Sequence, residues 1–279
     1  MNIKKIFVIT KSLFIMYFLT LSSVGVFAQQ GDEIYDIVSI NGKIVDKRSG
    51  KELLVGEIVN FQTDLIFGSL HDRAIVLNSE KTKYYLELPK SSFMNMELTI
   101  ASTLALAPVQ NRSALVNSTI RRGGMLLTEG LSPKTLREYF EIDIFTIVGS
   151  SFMVPVQSSD KENFDLMLRY ESENKVVDYI STDFSISKND LKIQGMGIAE
   201  CFIYLINEKG ELLPVTQLSL HFVEKDVILA EFNALLKALN QEKVNNNTTR
   251  ETLRHYCADV YGVIDRNTLE KLIDEFIAQ

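Results

Sequence analysis

The sequence predicts an α+β protein: an N-terminal small β barrel or sandwich, a second β unit, and a C-terminal helical segment. Three observations predict it. Residues 37–109 hold short apolar runs punctuated by turn residues roughly every ten positions, the spacing of a small barrel or sandwich. Residues 201–222 read as a β-hairpin. Residues 225–278 place apolar side chains at three- and four-residue steps, the period of amphipathic helices. The expected boundaries are 1–28 for a signal peptide, 29–109 for the first β unit, 110–156 for a connector with a short helix, 157–223 for the second β unit and 224–279 for the helical segment.

The N-terminus has the three parts of a cleavable secretory leader. Lys4, Lys5 and Lys11 make a positive start, and an apolar stretch follows from Leu13 to Leu21. Val26-Phe27-Ala28 then offers small side chains at the −3 and −1 positions, with Gln29 as the mature N-terminus. The run from Ser12 to Ala28 is shorter than the about 20 apolar residues of a spanning helix, and no later stretch reaches that length. An exported chain is therefore expected, in the periplasm or at the outer surface, with no transmembrane span after cleavage.

In the first unit, Ile37–Val45, Ile58–Phe61, Ala74–Leu77, Tyr84–Leu88 and Leu98–Ile100 read as strands. Asn41-Gly42 and Ser49-Gly50 are turn signals among them. In the connector, Ser132 is a good helix cap and Pro133 a good first helical residue, with Leu136, Tyr139 and Phe140 on one apolar face. A strand pair, Phe145–Val148 and Phe152–Val154, is expected after it. The second unit opens with strands over Phe164–Tyr170 and Val176–Ile180. The hairpin of Cys201–Ile206 and Leu212–Phe222 turns at Asn207-Glu208-Lys209-Gly210. The helical segment divides into three. Ile228, Leu229, Phe232, Leu235, Leu236 and Leu239 form the first stripe, ended by Asn245-Asn246-Asn247. Thr248–Glu251 has a capping-box pattern before the second stripe of Leu253, Tyr256, Cys257, Val260, Tyr261 and Ile264. Asp265 caps the third, with Leu272 and Phe276 on its inner face. Each stripe needs a partner surface. Packing within the chain is one solution. Docking onto another protein is the other, through Leu229, Phe232, Leu236, Tyr256, Tyr261, Leu272 and Phe276.

Charge and chemistry narrow the function classes. The leader holds three of the 29 basic residues and none of the 36 acidic ones, so its removal takes the net charge from −7 to −10. That balance argues against nucleic acid as a partner, which attracts basic faces. No phosphate loop, nucleophile elbow or zinc-protease helix occurs, so no cofactor, metal or catalytic residue is expected. His71, His221 and His255 are scattered and fall in no metal-ligand spacing. Arg121-Arg122-Gly123-Gly124 is a candidate anion-binding loop, since two guanidiniums and successive backbone N–H groups favour a phosphate or carboxylate; its alternative is a solvated loop. Cys201 and Cys257 are the only cysteines, and an even count in an exported chain points to a disulfide. The alternative is two buried thiols, because both sit in apolar runs. Asn111, Asn117 and Asn247 open formal glycosylation acceptor triplets.

Two resemblances follow from these residues. The Lys- and Asn-rich leader ending in Phe27-Ala28-Gln29 resembles those of secreted Bacteroidetes proteins, which implies a Gram-negative periplasm or outer surface. Ile40-Asn41-Gly42-Lys43-Ile44-Val45-Asp46, with Ser49-Gly50-Lys51-Glu52-Leu53, is similar to the opening of carboxypeptidase regulatory-like β-sandwich modules. Glu52 stands where that family has Pro, and the family's later Asp-x-x-Gly-x-Phe/Tyr strand is not recognisable after Thr63-Asp64. The resemblance implies β structure over residues 40–53.

The function these features favour is a non-enzymatic envelope protein acting through protein–protein contacts, as an accessory or structural subunit of a larger assembly. A β sandwich that binds a glycan or small molecule is the first alternative, with Tyr84, Tyr85, Tyr170 and Tyr179 as stacking faces. A hydrolase whose carboxylates meet only in three dimensions is the second.

Overall fold

A computed structural model describes residues 33–69, 72–88, 97–100, 130–140, 144–193, 197–241, 243 and 247–279. The leader, His71, Asn111, Asn117 and the Arg121–Gly124 loop lie outside the described residues. The chain is α+β, with several β sheets and helices that include a C-terminal group. It divides into two compact units. The first holds residues 1–109 together with Asn233–Asn240, and the second holds the rest.

The first unit is built from β1 (Ile34–Asn41), β2 (Ile44–Asp46), β3 (Ile58–Asn60), β4 (Asp64–Phe67), β5 (Arg73–Asn78), β6 (Lys83–Glu87) and β7 (Glu97–Thr99). Four of them form the antiparallel sheet β3-β1-β5-β6, and three form the antiparallel sheet β2-β4-β7. The two do not close into a barrel. They share one core, in which Tyr35, Ile37, Val76 and Leu86 of the larger sheet cluster with Ile44, Leu65 and Phe67 of the smaller. β1 passes to β2 through Gly42, at φ +92°. A Cβ there would sit 2.1 Å from Asp72 Oδ1, so the residue is glycine for conformation and for space.

The second unit centres on a six-stranded sheet of order β11-β10-β13-β14-β8-β15. Its strands are β8 (Ile144–Val148), β10 (Phe164–Ser172), β11 (Lys175–Ser181), β13 (Gly197–Asn207), β14 (Leu212–Val223) and β15 (Val263–Ile264). β11, β10, β13 and β14 are antiparallel, whereas β8 runs parallel to both β14 and β15. Two short strands, β9 (Ser151–Met153) and β12 (Ser185–Ser187), pair separately. Phe145–Val148 was expected as a strand within the connector, and residues 144–148 form an interior strand of this sheet. Their partners lie at residues 219–223 and 263–264, a pairing no local pattern announces.

Helix α1 (Pro133–Phe140) starts as its sequence dictates: Ser132 Oγ accepts from Thr135 N at 3.1 Å. Its Leu136 and Phe140 are fully buried in the core under the sheet, with Phe145, Leu168, Ile203 and Leu220. Helix α2 (Ser158–Asn163) leads directly into β10. The C-terminal helices are α3 (Lys225–Ala238), α4 (Asn247–Tyr261) and α5 (Arg266–Ala278). Asp265 caps α5, its Oδ1 accepting from Thr268 N at 2.9 Å. Among the described residues no helix is long and apolar enough to cross a membrane.

Candidate interaction surface

The C-terminal helices do not present the surface expected of them. Phe232, Leu236, Tyr256, Tyr261, Leu272 and Phe276 are all buried, and Leu229 is half-buried. Phe232 packs edge-on against Phe276, ring centroids 5.3 Å apart, and against Tyr256 at 6.3 Å. The stripes are satisfied inside the chain, so these residues are not a docking face. Polar groups within this interior are paired too. Tyr256 Oη donates to Glu231 Oε2 at 2.9 Å, and Tyr261 Oη donates to the same oxygen. Glu231 is itself buried.

The expected disulfide is absent. Cys201 and Cys257 are both free and buried. Cys201 lies in the core of the six-stranded sheet, opposite Tyr170 on β10 and Leu218 on β14. Cys257 points into the helical interior, where Glu231 is close enough to act on it electrostatically. Burial pushes the Cys201 thiol up to about 12 and raises Cys257 as well. Both thiols stay protonated and unreactive in the folded protein.

Two of the residues offered as stacking faces are also occupied, while Tyr85 and Tyr179 are half-buried. Tyr84 packs edge-on against Tyr35 at 5.9 Å in the first unit. Tyr170 is buried, and its hydroxyl donates to Leu191 O at 2.6 Å. Of the two described histidines, His221 is half-buried in β14, and His255 on α4 stands 3.9 Å from Glu251 Oε2. Among the described residues no three His, Cys, Asp or Glu side chains gather where they could hold a metal.

What remains exposed is part of the side of the six-stranded sheet that faces away from its core, on β11, β10, β13 and the start of β14. On β8 the same side is covered, with Thr146 buried and donating to Tyr261 O. Strand alternation builds this side. Leu168 and Tyr170 of β10 point to the core, so Met167, Arg169 and Glu171 take the other side. Register then brings Ile180 of β11 and Tyr204 of β13 beside Met167, and Asp178 and Phe202 beside Arg169. Leu212 on β14 lies opposite Ile206 on β13, and Pro214 opposite Tyr204. Val176 is 70% exposed, Ile180 53%, Leu212 44% and Phe202 36%. Exposed apolar residues scattered singly are ordinary, but these share one sheet face at neighbouring registers.

One ion pair crosses this face. Arg169 holds Asp178 with two hydrogen bonds of 2.7 Å, and its guanidinium stacks 5.6 Å from the Tyr204 ring centroid. The fork geometry lowers the Asp178 carboxyl below its ordinary value and raises Arg169. At the hairpin end of the face an open groove of about 610 Å³ is lined by Arg169, Glu171, Val176, Lys192, Glu200 and Phe202 among others.

No family model matches the chain, and no curated protein matches it. The assignment of a surface therefore rests on geometry. Sequence reading found the strands of this face, but not that the face is bare. The near-continuous apolar run Val176-Val177-Asp178-Tyr179-Ile180 is the signal that was present, since an apolar residue at every position but one suits a strand with two contacting sides.

Proposed function

We propose that the protein is exported to the cell envelope and acts there without catalysis, as an accessory or structural subunit that works through protein–protein contact. The reading is supported above all by the exposed apolar residues of this sheet face, Val176, Ile180, Phe202 and Leu212, which lie on neighbouring strands around the Arg169–Asp178 pair. Patches of this kind mark sites that a second surface covers. The leader supplies the compartment in this reading, and the rigid antiparallel strands supply a preformed surface.

The test is cross-linked affinity purification of the tagged full chain from its native cells, with envelope fractionation and mass spectrometry. The expected result is a stoichiometric envelope protein recovered with the unmodified chain and lost when Phe202→Asp and Leu212→Asp place charge on the face. A chain recovered alone from a soluble fraction, or a partner equally retained by the charged variant, overturns the reading.

A further inference from the structure

The β10–β11 hairpin turns at Glu173-Asn174, both in the left-handed region at φ +51° and +59°. The flanking pair is Ser172 with Lys175, so the loop has two residues. A two-residue loop closes on a hydrogen-bonded pair. Bonds to β10 therefore come from Lys175, Val177, Tyr179 and Ser181, the alternate residues of β11. Val176, Asp178 and Ile180 turn their N–H and C=O groups the other way. Among the described residues β11 ends the sheet on that side, so those groups lie on an edge that no described strand pairs with. At seven residues it is the longest edge strand among the described residues. Long open edges with apolar side chains are templates for another strand, and proteins commonly blunt them.

The edge is complementary to itself. When two copies of β11 are laid antiparallel about Asp178, Val176 falls opposite Ile180 at both ends, and Val177 opposite Tyr179. The three outward residues then exchange about six backbone hydrogen bonds with their counterparts. Lys175 falls opposite Ser181 in the closer, non-hydrogen-bonded kind of pair, with both side chains on the same face. Ser181 Oγ donates to Asp183 Oδ1 at 2.7 Å, so the Asp183 carboxylate lies beside it. The Ser185 hydroxyl and backbone N–H also donate to that oxygen, at 2.7 and 3.0 Å, and Lys161 Nζ donates to the Asp183 carbonyl. The ammonium of Lys175 from one copy thus meets the carboxylate of Asp183 from the other, twice by symmetry. The two Asp178 carboxylates face each other at the axis, and each is already held by its own Arg169.

We propose that β11 is a docking strand for a second copy of this chain, pairing antiparallel about Asp178 to join two six-stranded sheets into one. The proposal shares β11 with the assembly reading but uses its edge, and the dimer would extend that reading's sheet face across both copies.

Sedimentation equilibrium of the full chain tests it, together with amide hydrogen exchange. The expected result is a concentration-dependent dimer, with the Val176, Asp178 and Ile180 amides slowing as it forms. Ile180→Pro removes an outward N–H and no bond to β10, which edge strands tolerate. It should leave the circular dichroism and melting of the monomer in place and weaken dimerisation at least tenfold. Lys175→Glu should weaken it as well, and adding Asp183→Lys to that variant should restore it. A chain monomeric at every concentration overturns the proposal, as does a dimer indifferent to Ile180→Pro and to the charge swap. A monomeric chain that still captures an envelope partner through Phe202 and Leu212 leaves the assembly reading standing. A β11 dimer with no other partner does the reverse.

Discussion

Tyr139 Oη donates to Asp265 Oδ2 at 2.8 Å, across more than a hundred residues of sequence and with both groups buried. The other oxygen of the same carboxylate caps α5, accepting from Thr268 N at 2.9 Å and Thr268 Oγ1 at 3.0 Å. One side chain therefore fixes both α1 and the start of α5. Burial, and then the Asp265 charge, push the Tyr139 hydroxyl well above the ordinary tyrosine value. It remains a donor at any ordinary pH.

Removing the two partners should have unequal effects. Tyr139→Phe deletes one hydrogen bond and should cost about 1 kcal/mol. Asp265→Ala removes a helix cap, worth about 1 kcal/mol. It also leaves the Tyr139 hydroxyl without its acceptor, at about 1–3 kcal/mol more. Urea denaturation would measure both. An Asp265→Ala variant no weaker than Tyr139→Phe would show that the carboxylate does not join the two elements.

Glu231 should be the most sensitive polar position of the helical segment. Tyr256 and Tyr261 both donate to its Oε2, and Glu231, Tyr256 and Tyr261 are all buried. Glu231→Leu orphans two hydroxyls at about 1–3 kcal/mol each, a loss larger than that of either Tyr→Phe change alone. Thermal melting of the three variants orders them. If Glu231→Leu melts with Tyr256→Phe, the shared acceptor is not what holds these helices.

The parts legible in the sequence are those decided within a few residues. Ser132 and Asp265 were readable as caps because a cap needs only its own side chain and the next turn. The stripes of α3, α4 and α5 were readable because helical period is local. What covers a stripe is not local. Phe232 and Phe276 meet across a distance in sequence, and the pattern of either helix alone fits an external partner equally well. The same limit hid which strands residues 144–148 pair with, although they read as a strand, and left Cys201 and Cys257 as a plausible pair. Strand neighbours and thiol separations are set by topology. The bare face of the second unit lay beyond reach for a related reason: alternation says that a strand has two sides, and packing decides which one is covered.

The thiols give a prediction with a definite pH window. In the folded chain Cys201 and Cys257 are raised by burial, while unfolded thiols titrate near their ordinary value of about 8.5. Below that value neither state ionises, and the full stability is present. Above it the unfolded state releases protons that the folded state keeps, so stability falls as pH rises. For Cys201 the fall continues to about 12, the value to which burial pushes it. The slope is at most about 1.4 kcal/mol per pH unit for each thiol. Cys201→Ala should flatten the alkaline limb of a stability profile. Thiol reagents should label neither cysteine in the native protein and both after denaturation. Rapid native labelling of either one would contradict its burial.

The last prediction concerns the entry to β2. Gly42 stands at φ +92°, and its absent Cβ leaves room for Asp72, whose Oδ1 would be 2.1 Å away and Cγ 2.5 Å. Asp72 is not free to withdraw. Its Oδ2 accepts from Ser69 N at 2.8 Å and its Oδ1 from Ser69 Oγ at 2.6 Å. Gly42→Ala therefore meets two costs. A non-glycine residue at positive φ loses about 1–2 kcal/mol, and the displaced Asp72 gives up its bonds to Ser69 at about 1 kcal/mol each. Gly42→Ala should destabilise the protein by about 3–4 kcal/mol. In the Asp72→Ala background the same change should cost only the conformational part, because the steric partner is gone. A double-mutant cycle by chemical denaturation separates the two. Additive losses would mean that Gly42 is required by backbone conformation alone, and that the contact with Asp72 places no demand on it.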